Sequence, residues 1–236
     1  MDLSIVIPVY NEEKKISTDL EAALKFFEEQ KFEGEIIVVD DGSLDETVRI
    51  VQKYVHNYPS AIKLISYQPN KGKGYAVRSG VQNAKGEIIM FADSGNCVPF
   101  SESLKGFEIL KKDADIAHGS RFLYNSIIVI QRKWYRSLYS FLFRKFINLY
   151  AQIPQKLTDT QCGFKMYKHN VAHKLFSQCK TDGFMFDIEI ILRAFQLGYS
   201  IQEFPIEWTV DHDSRVNLKR TLFRILQELA KIKKQL

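Results

Sequence analysis

EIIVVDDGS, residues 35–43, is the stretch whose reading decides the fold. Ile36 to Val39 is apolar without alternation, so a strand over Glu35–Asp40 has both faces covered. Asp41-Gly42-Ser43 reads as the turn that ends it. The same pattern recurs on either side. Leu3–Val9 is a β-rich run halted by Pro8 and the polar Asn11-Glu12-Glu13, Ile62–Tyr67 reads as a third strand and Glu87–Ala92 as a fourth. Between them Ile16, Leu20, Ala23, Leu24 and Phe27 recur at helical spacing. Residues 44–57, 73–84 and 102–112 read as further helices, and Gly86 stands just past the second of these. Apolar strands alternating with helices predict an α/β fold with a mostly parallel central sheet and helices on both faces.

In such a sheet the site lies outside the carboxyl ends of the strands. Three polar clusters fall there: Tyr10-Asn11-Glu12, Asp40-Asp41-Gly42-Ser43 and Asp93-Ser94-Gly95-Asn96. The second half is less regular. Asp115–Ser120 reads as a strand ending in Gly-Ser-Arg, and residues 132–151 as a long helix around WYRSLYSFLFRKFINLYA. A loop with Pro154 and the stretch TDTQCGFK (158–165) follow, then a helix over 184–197, a strand over 200–209 and a helix over 217–234. The 236 residues suit one domain, 1–236, whose halves meet near residue 120 without a linker composition.

The net charge of +5 is unevenly spread. Residues 121–156 carry seven bases and no acid, residues 215–236 carry +6, and the rest therefore carries −8. An acidic body with two basic segments suits an anionic partner. Cys97, Cys162 and Cys179 share no C-x-x-C spacing, which predicts reduced thiols and no zinc site. Met1-Asp2-Leu3-Ser4 leads straight into a strand, so no signal peptide is expected, and no window of about 18 apolar residues predicts a bilayer span.

Several motifs carry two readings each. Ser43 or Asp45 can cap the 44–57 helix, or the carboxylates of DDGS can meet a ribose, a base or a metal. Asn70-Lys71-Gly72-Lys73-Gly74 has neither phosphate-loop nor dinucleotide glycine spacing; the placement of Arg78 in the following helix suggests that it reaches toward the sheet edge. His169 and His173, four apart, are either two surface histidines or half of a metal site. Asp211-His212-Asp213 is a solvated turn or a cover over a ligand. Trp134, Leu138, Leu142, Phe146 and Leu149 line one helix face among nine aromatics and seven bases in 121–156, which fits a core helix with a basic outer side or a helix lying in a membrane surface. No nucleic-acid module motif is present.

IVIPVYNEE, EIIVVDDGSLDET, NKGKGYAVRSG, a strand ending in FAD, and GSR at 119–121 together resemble family 2 glycosyltransferases of the Rossmann-like GT-A fold. TDTQCGFKMY (158–167), FMFDIEI (184–190) and GYSIQEFPIEW (198–208) look like the branch that glycosylates polyprenyl phosphates, including dolichyl-phosphate glucosyl- and mannosyltransferases. The resemblance implies that residues 1–120 bind a nucleotide sugar and residues 121–236 the acceptor. It implies a base and ribose cradle from Pro8, Val9, Tyr10, Glu12, Val38, Asp40 and Asp41, with Lys73, Arg78, Ala92, Asp93, Ser94 and Arg215 toward the sugar diphosphate. Asp93 and Asn96 would hold Mg²⁺ or Mn²⁺, and Arg121 and Arg132 the lipid phosphate, as guanidinium forks suit phosphate oxygens. If the acceptor is a hydroxyl, Asp159 or Asp187 would be the base, although Asp187 also suits a helix-capping role.

The expected reaction is inverting transfer of a hexose, glucose foremost, from a UDP-sugar to polyprenyl or dolichyl phosphate. The family pattern has two carboxylates in D-x-D, whereas this chain has Asp93-Ser94-Gly95. That keeps two alternatives open: a glycan or small-molecule acceptor, and a non-catalytic nucleotide-sugar-binding protein. The partners expected are the donor, the lipid phosphate and an anionic membrane surface on its cytoplasmic face. A second copy or an integral-membrane protein is open as a further partner, and nucleic acid is not expected.

Overall fold

The computed structural model describes residues 1–129, 144–147, 149–151, 153, 157–209 and 218–236, with only the helical backbone over 218–223. Arg132, Arg215, Asp211-His212-Asp213, Pro154 and the heart of the 132–151 helix lie outside the described residues.

Strand and helix alternate through the first half as the apolar pattern predicts: β1 Leu3–Val9, α1 Ile16–Gln30, β2 Gly34–Asp40, α2 Thr47–Asn57, β3 Ile62–Ser66, α3 Lys73–Asn83, β4 Ile88–Ala92, a single 3₁₀ turn Phe100–Glu102, α4 Ser103–Lys111 and β5 Ile116–Ser120. There follow β6 Ile127–Ile128, β7 Phe164–Lys168, α5 His169–Gln178, α6 Phe186–Gln196, β8 Ile201–Pro205, β9 Glu207–Trp208 and α7 Leu218–Gln235. Seven strands form one sheet in the order β3-β2-β1-β4-β7-β5-β8. Every pairing in it is parallel except those of β7, which runs antiparallel to β4 and β5. Strands β6 and β9 pair separately as a short parallel ribbon.

Both faces of the sheet are covered. Leu3, Ile5 and Ile7 of β1 point toward α1, meeting Ile16, Leu20, Ala23 and Phe27, the residues whose spacing marked that helix. Val6, Ile37, Val39 and Phe91 point the other way, onto Ala76, Val77 and Val81 of α3 and onto α5 and α6. Gly80 makes that contact close, since a Cβ there would strike Val6. A third apolar cluster joins Ile188 and Ile191 of α6 to Ile225, Leu229 and Ile232 of α7, with Ile147. Burying such side chains at about 25 cal/mol per Å² is what holds the layers together.

Three boundaries depart from the sequence reading. The stretch TDTQCGFK, to which the sequence pattern assigns no element, runs into β7, and the expected 200–209 strand is two strands parted at Ile206. Lys165 alternates with apolar neighbours inside β7 and is completely buried, which disguised the strand. The second helix starts at Thr47 rather than 44, because residues 43–45 bond to the first loop instead. Ser43 Oγ accepts from Asn11 N–H, Asn11 Oδ1 accepts from Leu44 N–H, and Asp45 accepts from Glu13 N–H and Thr47 N–H. Ser43 is therefore not a helix cap, whereas Asp45 does serve the first turn of α2.

Candidate active site

The carboxyl ends of β1, β2, β4 and β5 open on one edge of the sheet. Because β7 is antiparallel, its amino end reaches the same edge, with Phe164 opposite Ala92. The three polar clusters therefore meet residues 158–163, which the chain delivers from far away.

Asp93 follows β4, and its N–H donates to Gly163 O at 2.9 Å. Its Oδ1 lies 2.6 Å from Lys73 Nζ at the start of α3. A Cβ on Gly163 would overlap the Asp93 carboxylate, so the glycine leaves the space that this carboxylate fills. Burial alone would lower the Lys73 ammonium, but Asp93 and Asp187 outweigh it and raise it above its ordinary value.

Arg121, just past β5, is held by Asp159. Its Nε and Nη2 donate to the two carboxylate oxygens at 2.6 and 2.8 Å, and its backbone N–H adds a bond of 3.1 Å. Burial would raise Asp159, but the Arg121 charge and hydrogen bonds prevail and hold its carboxyl below the usual range. The loop is anchored from β8: Glu203 accepts from the N–H groups of Thr158 and Asp159, both at 2.7 Å. The Arg121 guanidinium also sits over the Trp208 and Phe122 rings, at 5.5 and 5.6 Å.

Beneath this layer Lys165 Nζ lies 2.6 Å from Asp187 Oδ1 and donates to Thr160 O. Both side chains are buried. Burial pushes Asp187 above its ordinary value against the pull of Lys165 and Lys73. The partner of Asp187 is thus an ammonium, not the amides of its own helix. Asp159 and Asp187, the two expected alternatives for a base, are each paired with a cation.

Asp19 was not anticipated. It stands on the apolar face of α1, is 2% exposed, and accepts from Ser94 Oγ at 2.6 Å and Gly95 N–H at 3.0 Å. It thereby shapes the 93–96 loop, in which Gly95 and Asn96 take positive φ. Burial pushes its carboxyl up to about 6, against the hydrogen bonds from Ser94 and Gly95. An acid three residues after Ile16 within a core-facing stripe is the sequence signal that marks it. Lys165 and Glu203 were missed as well, since nothing in their spacing points to their partners.

The other expected residues fall into distinct groups. Tyr10 is exposed at the edge, while Val9, Val38 and Ala92 turn their side chains into the core and have backbone to offer a nucleotide. Pro8, in β1, and Glu12, in the first loop, flank Tyr10, with Glu12 N–H bonded to Thr47 Oγ1. Asp40 accepts from Ser43 N–H and Ser66 Oγ; Asp41 accepts from Asn70, Lys71 N–H and Gly72 N–H, fastening the loop that opens α3. Arg78 does not reach the strand ends: it donates to Cys179 O and Asp182 Oδ1. The His169 and His173 rings lie side by side, tilted by 40° with centroids 4.4 Å apart, and a nitrogen of each bonds to a backbone carbonyl, of Gly86 and Ala84. Both are partly exposed, and each ties α5 to the chain before β4.

A cavity of about 190 Å³ opens beside Asp93, lined by Ser94 and Asn96, by Arg121 and Gln161, and by the aromatic Phe100 and Trp208. Backbone bonds between Val129 and Trp208 and between Thr209 and Cys97 set Trp208 at its rim. Cys162 also lines it; burial pushes that thiol up to about 12, so it is inert there. The edge thus offers the exposed Tyr10 ring and a polar cavity lined by Asp93, which is paired with Lys73, and by the fixed Arg121 guanidinium. That set suits a phosphorylated, hydroxyl-bearing ligand.

The family model for Glycosyl transferase family 2 matches residues 4–176. Among curated proteins, the dolichyl-phosphate beta-glucosyltransferase of Dictyostelium discoideum is 30% identical, over 98% of this chain and 73% of its own length. That of Homo sapiens is 31% identical, over 91% of this chain and 69% of its own. Among solved structures, glucosyl-3-phosphoglycerate synthase from Mycobacterium tuberculosis, in complex with Mn²⁺, UDP and phosphoglyceric acid, superposes with a TM-score of 0.70 at 18% identity, covering 99% of this chain and 78% of that one.

Proposed function

Because the chain belongs to glycosyl transferase family 2 and is a glycosyltransferase, we propose that it moves glucose from UDP-glucose to the phosphate of a polyprenyl lipid such as dolichyl phosphate. The observation that carries this reading is the likeness to dolichyl-phosphate glucosyltransferases over nearly the whole chain. It is supported by Arg121, fixed by Asp159 at the cavity, as a phosphate ligand. In this reading residues 1–120 hold the donor and residues 121–236 the acceptor, with Arg132 and Arg215 as further phosphate ligands.

A lipid-phosphate oxygen attacks the anomeric carbon from the face opposite the diphosphate. The carbon–oxygen bond to UDP breaks, its electron pair leaves on the diphosphate, and the configuration inverts. The attacking oxygen is already anionic at neutral pH, so no base need remove a proton. That agrees with Asp159 and Asp187 both being committed to cations. Catalysis then rests on holding the two phosphates in line and on fixed charge at the leaving group.

A divalent cation finds little here among the described residues. Asp93 is the one carboxylate of its loop and is paired with Lys73, and no group of three or more His, Cys, Asp or Glu is arranged to hold a metal. A cation at a diphosphate site needs at least one protein carboxylate beside the phosphate oxygens and waters, and the one that faces the cavity among the described residues is held by Lys73, so this donor set does not fit one, and no step is assigned to it.

Among the described residues no helix is long and apolar enough to cross a membrane. We propose peripheral attachment on the cytoplasmic face. Its support is the outward exposure of Phe146 and Leu149, and of Phe122, Tyr124 and Ile127 beside the basic segment. Incubation with labelled UDP-glucose and polyprenyl phosphate in detergent should give a solvent-extractable glucosyl lipid. No glucosyl transfer, with transfer instead to a soluble sugar or from another donor, would overturn the reading.

A further inference from the structure

We propose that the Lys73 ammonium is the resident cation of the diphosphate site, so that this chain binds its donor without a divalent ion. The proposal rests on the donor-site reading above and deepens it. Among the described residues four carboxylates flank the site, and each already has a partner within the protein. Asp159 is taken by Arg121 and Asp187 by Lys165. Asp19 is turned into the loop backbone, onto Ser94 Oγ and Gly95 N–H. Asp93 is the one of the four that lines the cavity, and its Oδ1 is 2.6 Å from Lys73 Nζ. The carboxylate that would anchor a metal here anchors an ammonium.

The backbone fixes the root of that side chain in place. Lys73 is the first residue of α3 and stands between two glycines. A Cβ on Gly72 would come within 2.5 Å of Asp182 O, and one on Gly74 within 2.5 Å of Thr181 O. Only glycine on both sides lets the start of α3 pack this closely against residues 181–183, and Tyr75 N–H bonds to Asp182 O there. Lys73 Nζ and Lys165 Nζ share the Phe91 ring, at 5.8 and 5.4 Å from its centroid. The charges thus form an alternating series, Asp93, Lys73, Asp187, Lys165, running from the cavity into the core. A positive charge held this way needs no reorganisation to meet a leaving diphosphate, which is what makes fixed charge effective in a transition state.

The test is titration of the full chain with UDP by calorimetry, in EDTA and again with MnCl₂. We expect dissociation constants within about threefold of each other, under 1 kcal/mol. Lys73→Met should weaken binding about tenfold or more in EDTA, as loss of a hydrogen bond to a charged group does, and Lys73→Arg should retain most of it. Binding by the unaltered chain only with Mn²⁺ would overturn the proposal while leaving the donor site standing, and that arm needs no variant. Lys73→Met binding UDP as well as the unaltered chain would overturn it too. No UDP binding in either arm would overturn the donor-site reading and this proposal together.

Discussion

Two parallel hydrogen bonds join Arg121 to Asp159, Nε to Oδ2 at 2.6 Å and Nη2 to Oδ1 at 2.8 Å. The pair spans 38 residues and brings the end of β5 to the loop before β7. It aims the guanidinium along the cavity wall and uses up the Asp159 carboxylate.

Asp159→Asn should therefore act on position and stability rather than as removal of a base. Arg121 would remain buried without its counter-charge, costing about 3 kcal/mol by urea denaturation. Arg121→Lys keeps the charge but loses the fork, and should raise KM for the lipid phosphate more than KM for the donor. An unchanged acceptor KM in Arg121→Lys would refute the assignment.

Gly163→Ala should impair nucleotide binding without unfolding the protein, because the added methyl meets the Asp93 carboxylate. Gly198→Ala is the comparison: it is strained at φ +76°, but nothing lies within 4 Å and it is remote from the cavity lining. UDP titration should separate the two. Equal affinity in both would show that Asp93 takes no part.

The buried Lys165–Asp187 pair should show strong coupling. Lys165→Met leaves Asp187 buried and unpaired and should destabilise by about 3–5 kcal/mol. The double variant Lys165→Met, Asp187→Leu should be more stable than Lys165→Met alone, since replacing both charges removes the uncompensated one. A double variant as unstable as the sum of the singles would contradict this.

His118 sets a pH dependence. It is 1% exposed, and burial first, then Lys165, holds it well below its ordinary 6.5. Below about pH 6.5 the unfolded chain takes up a proton that the folded chain refuses. Its contribution is thus complete above that pH and falls as the pH drops, by at most about 1.4 kcal/mol per unit. Asp19, raised to about 6, works in the opposite direction. The quantity to measure is the difference in urea midpoint between His118→Leu and the unaltered chain from pH 7 to 5; a constant difference would rule the effect out.

The fold was largely legible because its signals are local. Ile36–Val39 is buried on both sides of the sheet, as an apolar run without alternation requires, and the α1 stripe packs where its spacing says. The strand-end rule likewise brought Tyr10, Asp40 and Asp93 to one edge. Strand β7 was hidden because a buried lysine interrupts its pattern, and Asp19 because a lone acid on a helix reads first as a surface residue.

The amino-acid sequence by itself determined the order of strands and helices, the sheet edge that carries the chemistry, and the family motifs. Those follow from periodicity and from spacing within short stretches. Only the tertiary structure decided which charge answers which. Lys73 meets Asp93, Arg121 meets Asp159, Lys165 meets Asp187, and Asp19 meets Ser94 across 75 positions of chain. A charge taken out of water must find its partner by distance through space, and that distance is set by how helices and the reversed strand β7 stack on the sheet.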